Sequence, residues 1–224
     1  MYCKGEDGNN YFVKGYYASR RSLINEYVCG KLAIAFGLPI ADFSIVEIQP
    51  ELIALAQPSD AQFLSSGPSF GSREVTHAQE LSYAQRSKID RRLGRDILMF
   101  DWWIRNGDRT LTEIAGNPNL LWNQKSRKLA VIDHNLAFDQ EFNISDFTQH
   151  HVFRDQWPII FGDMLERNEY QERLAVVLPV FEEACNAIPE EWWSVDHGVP
   201  VDFDCETAKA ILTRVLDNNF WDVV

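Results

Sequence analysis

The stretch AVIDHNLAF, residues 130–138, sets a carboxylate, Asp133, at the end of an apolar strand and then resumes the apolar run at Leu136-Ala137-Phe138. An unpaired carboxylate among apolar groups is expensive to bury. Any fold of this chain therefore has to bring hydrogen bonds, a cation or a metal to the end of that strand. A position on an open surface loop does not explain the apolar run on both sides.

The segment just before it supplies partners. GDRTLTEIAGNPNLLWN reads as a loop running into a strand, and RKLAVIDHNLAF as a second strand, with QKSRK as the turn between them. Strands joined in this way are neighbours, so the polar tips at 106–119 and 133–135 should meet. They offer Asp108, Asn117, Asn119 and Asp133. Two carboxylates with amide oxygens suit a hard cation such as magnesium, which keeps waters and phosphate oxygens in its shell. Each residue taken singly has a plainer reading. Asp108-Arg109 reads equally as a surface ion pair, and Asn117-Pro118-Asn119 as turn chemistry.

The remaining chain divides by texture. YCKGEDGNNYFVKG reads as two short strands around Asp7-Gly8, the second ending near Lys14. SRRSLINEYVCGKLAIAFGLP has helical spacing, a serine near its start and a Gly37-Leu38-Pro39 stop. IADFSIVEI follows as a strand, and residues 56–72, rich in Ser, Gly, Pro and Gln, as a loop. From about Lys88 the chain turns helical, with Ile97, Phe100 and Ile104 marking one apolar face. EYQERLAVVLPVFEEACNAI reads as a helix broken at its proline, and CETAKAILTRVLDNNFW as a helix burying Ala208, Ile211, Leu212 and Val215. This pattern predicts an α+β chain with a strand-rich unit over 1–80 and a mainly helical unit over 81–224.

Lys14 on the early strand and Glu26 on the first helix precede the Asp and Asn residues in chain order. That order matches phosphoryl transfer: a lysine on the phosphates, a glutamate holding the lysine, a catalytic-loop Asp and Asn, then a metal aspartate. The stretches YFVKG, NEYVCGKLAIAFGLPI, FGSREV, WIRNGDRT, NPNLLW and VIDHNLAF resemble a HipA-like kinase domain, itself related to the phosphoinositide-kinase-like group. The resemblance implies a bilobal, protein-kinase-like fold using ATP and Mg2+. It implies that Lys14 binds the ATP phosphates with Glu26 as helix partner, and that Glu74 and Val75 hold adenine through the backbone. Asp108 would orient the acceptor hydroxyl or accept its proton, while Asn117 or Asn119, with Asp133, would hold magnesium. The acceptor it implies is a protein serine or threonine. Two features depart from the kinase pattern. No G-x-G-x-x-G stands ahead of Lys14, and Asp108 and Asn117 lie nine apart, against roughly five in the usual loop. A catalytically silent nucleotide-binding or interaction module is the other reading. Lys14 alone also reads as an edge-strand lysine, and Glu26 as a complement to the helix dipole.

Charge and cysteine usage narrow the field. A formal net charge of -12 opposes direct nucleic-acid binding, which needs a cationic surplus to displace counterions. Cys3, Cys29, Cys185 and Cys205 show neither metal nor disulfide-framework spacing and read as reduced, core-filling thiols. The start carries no apolar signal segment and no stretch is long enough to span a bilayer, so a cytoplasmic location and no membrane partner are expected. His134, His150, His151 and His197 lack zinc spacing, and His150-His151 reads as an exposed pair. Ser69 and Ser72 lie in no G-x-S-x-G elbow. Trp102, Trp103, Trp192 and Trp193 read as packing residues.

Overall fold

The computed structural model describes residues 1–57, 63, 65–195 and 198–222; His197 lies outside them. Among these residues the strands and helices, in chain order, are β1 (Tyr2–Lys4), β2 (Asn10–Lys14), α1 (Arg20–Phe36), β3 (Phe43–Ile48), α2 (Pro50–Leu55), β4 (Gly67–Arg73), β5 (Gln79–Glu80), α3 (Tyr83–Arg86), α4 (Arg91–Trp103), β6 (Thr110–Leu111), β7 (Gly116–Asn117), β8 (Leu120–Asn123), β9 (Lys128–Val131), α5 (Ile144–His150), α6 (Trp157–Gly162), α7 (Met164–Asn186), β10 (Ser194–Val195), β11 (Val199–Pro200) and α8 (Cys205–Thr213). The mixed content and small antiparallel sheets make this an α+β chain.

The first sheet runs β1-β2-β4-β3. Its opening turn uses Gly8 at φ 80, the left-handed region that glycine adopts without steric cost. The Asp7 side chain accepts from the Asn9 N–H at 3.0 Å. α1 starts at Ser19, whose hydroxyl accepts from the Ser22 N–H, and stops at Gly37 with φ 96. There the Leu38 N–H reaches the Ala33 carbonyl and the Gly37 N–H the Ile34 carbonyl, a Schellman closure with Leu38 buried beneath it. Gly30 lets the helix approach the sheet closely: a Cβ there would stand 2.6 Å from the Phe43 ring.

Residues 56–72 do not form one loop. Gly67–Arg73 is β4, the strand between β2 and β3; residues 58–62 and 64 lie outside the described ones. Small residues that weaken a strand signal are what this position needs, since a Cβ on Gly71 would meet Val46 at 2.7 Å. A second correction concerns Pro179, which does not break its helix. α7 is continuous over 23 residues with Pro179 inside and exposed. Tyr170, Leu174, Val177, Phe181 and Ala184 bury one stripe that runs through the proline to the last turn, and that packing offsets the one lost backbone bond.

The other expected faces are present. Ile97, Phe100 and Ile104 are fully buried, as are Ala208, Ile211, Leu212 and Val215 to within a few per cent. α1 packs along α7, and the Trp192 indole N–H donates to the Pro68 carbonyl of β4 at 2.9 Å. Trp102, Trp103 and Trp192 are core residues, and Trp193 packs against that core half-buried. All four cysteines are free thiols, Cys29 buried and the others half-buried. Among the described residues no helix is long and apolar enough to cross a membrane.

Candidate functional site

Side-chain alternation on the first sheet turns Phe12 and Lys14 of β2 to one face, opposite Ser72 and Phe70 of β4. That face, the Gly30 side of α1 and the end of β9 enclose a cavity of about 290 Å³. Its walls are largely apolar, with Phe43, Phe70, Ile40 and Val131 among them, and Lys14, Glu26 and Asp133 form a charged cluster in its lining. Lys14 Nζ lies 2.5 Å from Glu26 Oε1 and 3.0 Å from Asp133 Oδ1. Glu26 is buried, whereas Lys14 and Asp133 are about one-third exposed. This is the compensation Asp133 requires. Lys14 sits on β2, which is not an edge strand, and Glu26 faces the interior two turns into α1.

One ammonium serves two carboxylates, and the surplus negative charge falls on the more buried of them. Burial, reinforced by Asp133, pushes Glu26 up to about 7 against the pull of Lys14. Asp133 stays below the ordinary carboxylate range, because Lys14 outweighs its burial. Lys14 is raised, its burial outweighed by the two carboxylates. Glu26 Oε2 also accepts from the His134 N–H at 2.9 Å, which ties α1 to the loop after β9. Burial holds the His134 ring neutral, its pKa lowered to about 3.

The two polar tips adjoin. β8 and β9 pair antiparallel with Leu120 opposite Val131, and the Ile132 N–H donates to the Asn119 carbonyl at 3.1 Å. Asp108 Oδ2 accepts from Asn117 Nδ2 at 2.9 Å and from Asn119 Nδ2 at 3.0 Å. The additional residues between Asp108 and Asn117 form a hairpin, β6–β7, that returns Asn117 to Asp108 despite the long spacing. Asn119 and Asp133 both adopt positive φ, 48° and 59°, a conformation Asn and Asp tolerate better than most residues.

The donor set fits magnesium in kind. Among the described residues no group of three or more His, Cys, Asp or Glu is placed to hold a metal. Magnesium needs only one or two carboxylates beside phosphate and water oxygens. Each amide donates its nitrogen to Asp108, and no donor among the described residues reaches the side-chain oxygen of Asn117 or Asn119. Glu74 and Val75 line the same cavity. The Glu74 N–H is engaged by the Asn10 carbonyl and the Val75 carbonyl by the Ala78 N–H. The Glu74 carbonyl and the Val75 N–H are the remaining polar main-chain groups of that pair. The Glu74 carboxylate turns away to Tyr2 and Asn10.

Two plainer readings fail at one residue each. Arg109 is not a surface partner of Asp108: it is fully buried, with Nε 2.7 Å from Asp101 Oδ2. His151 is not exposed: its Nε2 lies 3.0 Å from the same Asp101 oxygen, while His150 stays at the surface. The sequence reading missed Asp101, though its signal is the one that marks Asp133, a carboxylate inside an apolar run, ILMFDWWI. It also missed Asn25, whose Nδ2 donates to the Asn135 and Ala137 carbonyls and braces the loop after Asp133.

An apolar cavity with a lysine held between two carboxylates and an Asp–Asn cluster close by describes a kinase-type phosphotransferase. A family model for HipA-like kinases matches residues 1–224, and the chain belongs to that family. No curated protein matches the sequence.

Proposed function

We propose that the chain is an ATP- and Mg2+-dependent kinase that transfers the γ-phosphate to a hydroxyl of a protein serine or threonine. In this reading the fold is bilobal: residues 1–80 form a nucleotide-binding lobe, 81–224 a catalytic helical lobe, and the cavity between them takes the nucleotide. Lys14, held by Glu26, contacts the phosphates. Glu74 and Val75 offer their remaining backbone groups to adenine. Asp108, held by the two amides, orients the acceptor hydroxyl. Asp133 with Asn117 or Asn119 holds magnesium, which shields the phosphate charge. The protein positions groups and stabilises charge, and little covalent chemistry is asked of it.

The observation that carries this reading is Lys14 Nζ between Glu26 and Asp133 in the lining of an apolar cavity. The test is transfer of labelled phosphate from ATP with Mg2+, to itself or to a degenerate Ser/Thr peptide library. Wild type should transfer label, and Asp108→Ala and Asp133→Ala should each abolish it. Nucleotide-dependent thermal stabilisation without transfer would instead establish a silent nucleotide-binding module. The holding of Asp108 by two amides on a lengthened loop adds to the missing G-x-G-x-x-G in favouring that second reading.

A further inference from the structure

Behind the two tips lies a polar cluster that the proposed chemistry does not use. Asp101, Asn106, Arg109 and His151 are all buried to within 1%. Phe153 donates its N–H to His151 Nδ1 at 3.1 Å, so the neutral ring carries its proton on Nε2 and donates it to Asp101 Oδ2. Asp101 Oδ1 accepts from Asn106 Nδ2 at 2.9 Å. Arg109 Nε completes the carboxylate. With both oxygens engaged, Asp101 cannot turn, and it fixes the plane of the guanidinium.

The far end of that guanidinium addresses main chain. Arg109 Nη1 donates to the Asn119 carbonyl at 2.6 Å and the Ile132 carbonyl at 3.0 Å, with the Pro118 carbonyl at 3.4 Å. Asn119 is itself in the left-handed conformation, and Ile132 immediately precedes Asp133, the other left-handed residue. One nitrogen thus grips both backbone kinks that aim the Asn119 and Asp133 side chains. The β8–β9 ladder already joins these strands, so the pairing itself has no need of a buried cation. Replacing a buried ionic cluster by apolar side chains is often neutral for stability. Its place at the two kinks is what requires explanation.

We propose that Arg109 is a positioning residue that sets the separation between the Asn119 and Asp133 oxygen donors, with Asp101 and His151 fixing its orientation. The inference rests on the phosphotransferase reading above and adds to it a supporting layer behind the metal-binding tips. Lysine would not substitute, because a point charge on a flexible stem cannot hold a carboxylate and two carbonyls in one plane.

Calorimetric titration with a non-hydrolysable ATP analogue, with and without Mg2+, tests it on wild type, Arg109→Lys and His151→Gln. Loss of a residue that orients metal ligands costs metal affinity roughly 10- to 100-fold. Arg109→Lys should lose about that much of the Mg2+-dependent gain in affinity while keeping wild-type Mg2+-free affinity, which depends on Lys14 and the cavity walls. A purely structural role would weaken both together or neither. If Arg109→Lys folds and keeps the full Mg2+-dependent gain, the proposal is wrong. If it fails to fold, His151→Gln decides: a several-fold loss confined to the Mg2+-dependent part supports the proposal, and an unchanged gain overturns it. A wild type with no Mg2+-dependent gain overturns the phosphotransferase reading and this inference with it.

Discussion

At the scale of single residues, the site is a problem of charge shared unequally. Glu26 carries the burial and Asp133 the solvent, with Lys14 between them. The folded pKa of Glu26, about 7, stands above its ordinary 4.5, so the folded chain holds that proton more tightly than the unfolded one. Stability from this group is complete below the unfolded value and is lost as pH rises through the folded one. His134 acts in the opposite sense: lowered from 6.5 to about 3, its buried neutral ring adds a cost as pH falls below 6.5. Comparing melting temperatures of wild type and Glu26→Gln over about pH 5 to 8 isolates the first effect. Wild type is expected to lose stability relative to the variant as pH climbs from 5 to about 7, and the difference should level off above that. A difference that stays flat, or slopes the other way, would mean that Glu26 is ionised throughout. Asp133 was legible in sequence because an apolar run makes its cost plain. Its partner Lys14 was legible only through chain order. The Asp101–His151 contact joins residues 50 apart in sequence, and no local spacing announces it.

At the scale of elements, legibility followed the strength of local signals. α1 declares both ends, with a serine cap and a left-handed glycine. α4 and α8 declare their buried faces through spacing. β4 declares nothing, because Gly67, Ser69, Gly71 and Ser72 have little strand propensity, and Gly71 stands where a Cβ would strike Val46. α7 misleads in the other direction, since proline is a strong local breaker and only the stripe from Tyr170 to Ala184 reveals continuity. The tertiary packing that overrides the proline leaves its local cost in place. Pro179→Ala would restore the bond from its own N–H to the Ala175 carbonyl on an exposed face. A gain of about 1–3 kcal/mol is expected, visible as a rise of several degrees in melting temperature. An unchanged or lower value would show that the helix depends on a bend at this point. The β6–β7 hairpin was not legible from the nine-residue spacing alone; its pairing of Thr110 with Asn117 explains how that spacing still delivers an amide to Asp108.

At the scale of the whole molecule, the net charge of -12 surrounds a cavity proposed for a polyanion. That field would repel a free triphosphate, and on the proposed reading Lys14 and a divalent cation would work against it. Raising monovalent salt from about 20 to 200 mM shortens the reach of that field. Stopped-flow association of a fluorescent ATP analogue should therefore quicken with salt, and more so without Mg2+ than with it. Equal salt insensitivity in both cases would mean that the cavity mouth is screened from the surface charge. Family membership extends over the full chain. The chain also carries its own optical gauge. The Trp192 indole is sealed from solvent, hydrogen-bonded to Pro68 on the sheet and edge-on to Tyr27 of α1. Any sliding of the sheet over the helices must carry that ring along or break its bond. Its emission, separated from that of the other six tryptophans by comparison with Trp192→Phe, would therefore register such motion without an added dye.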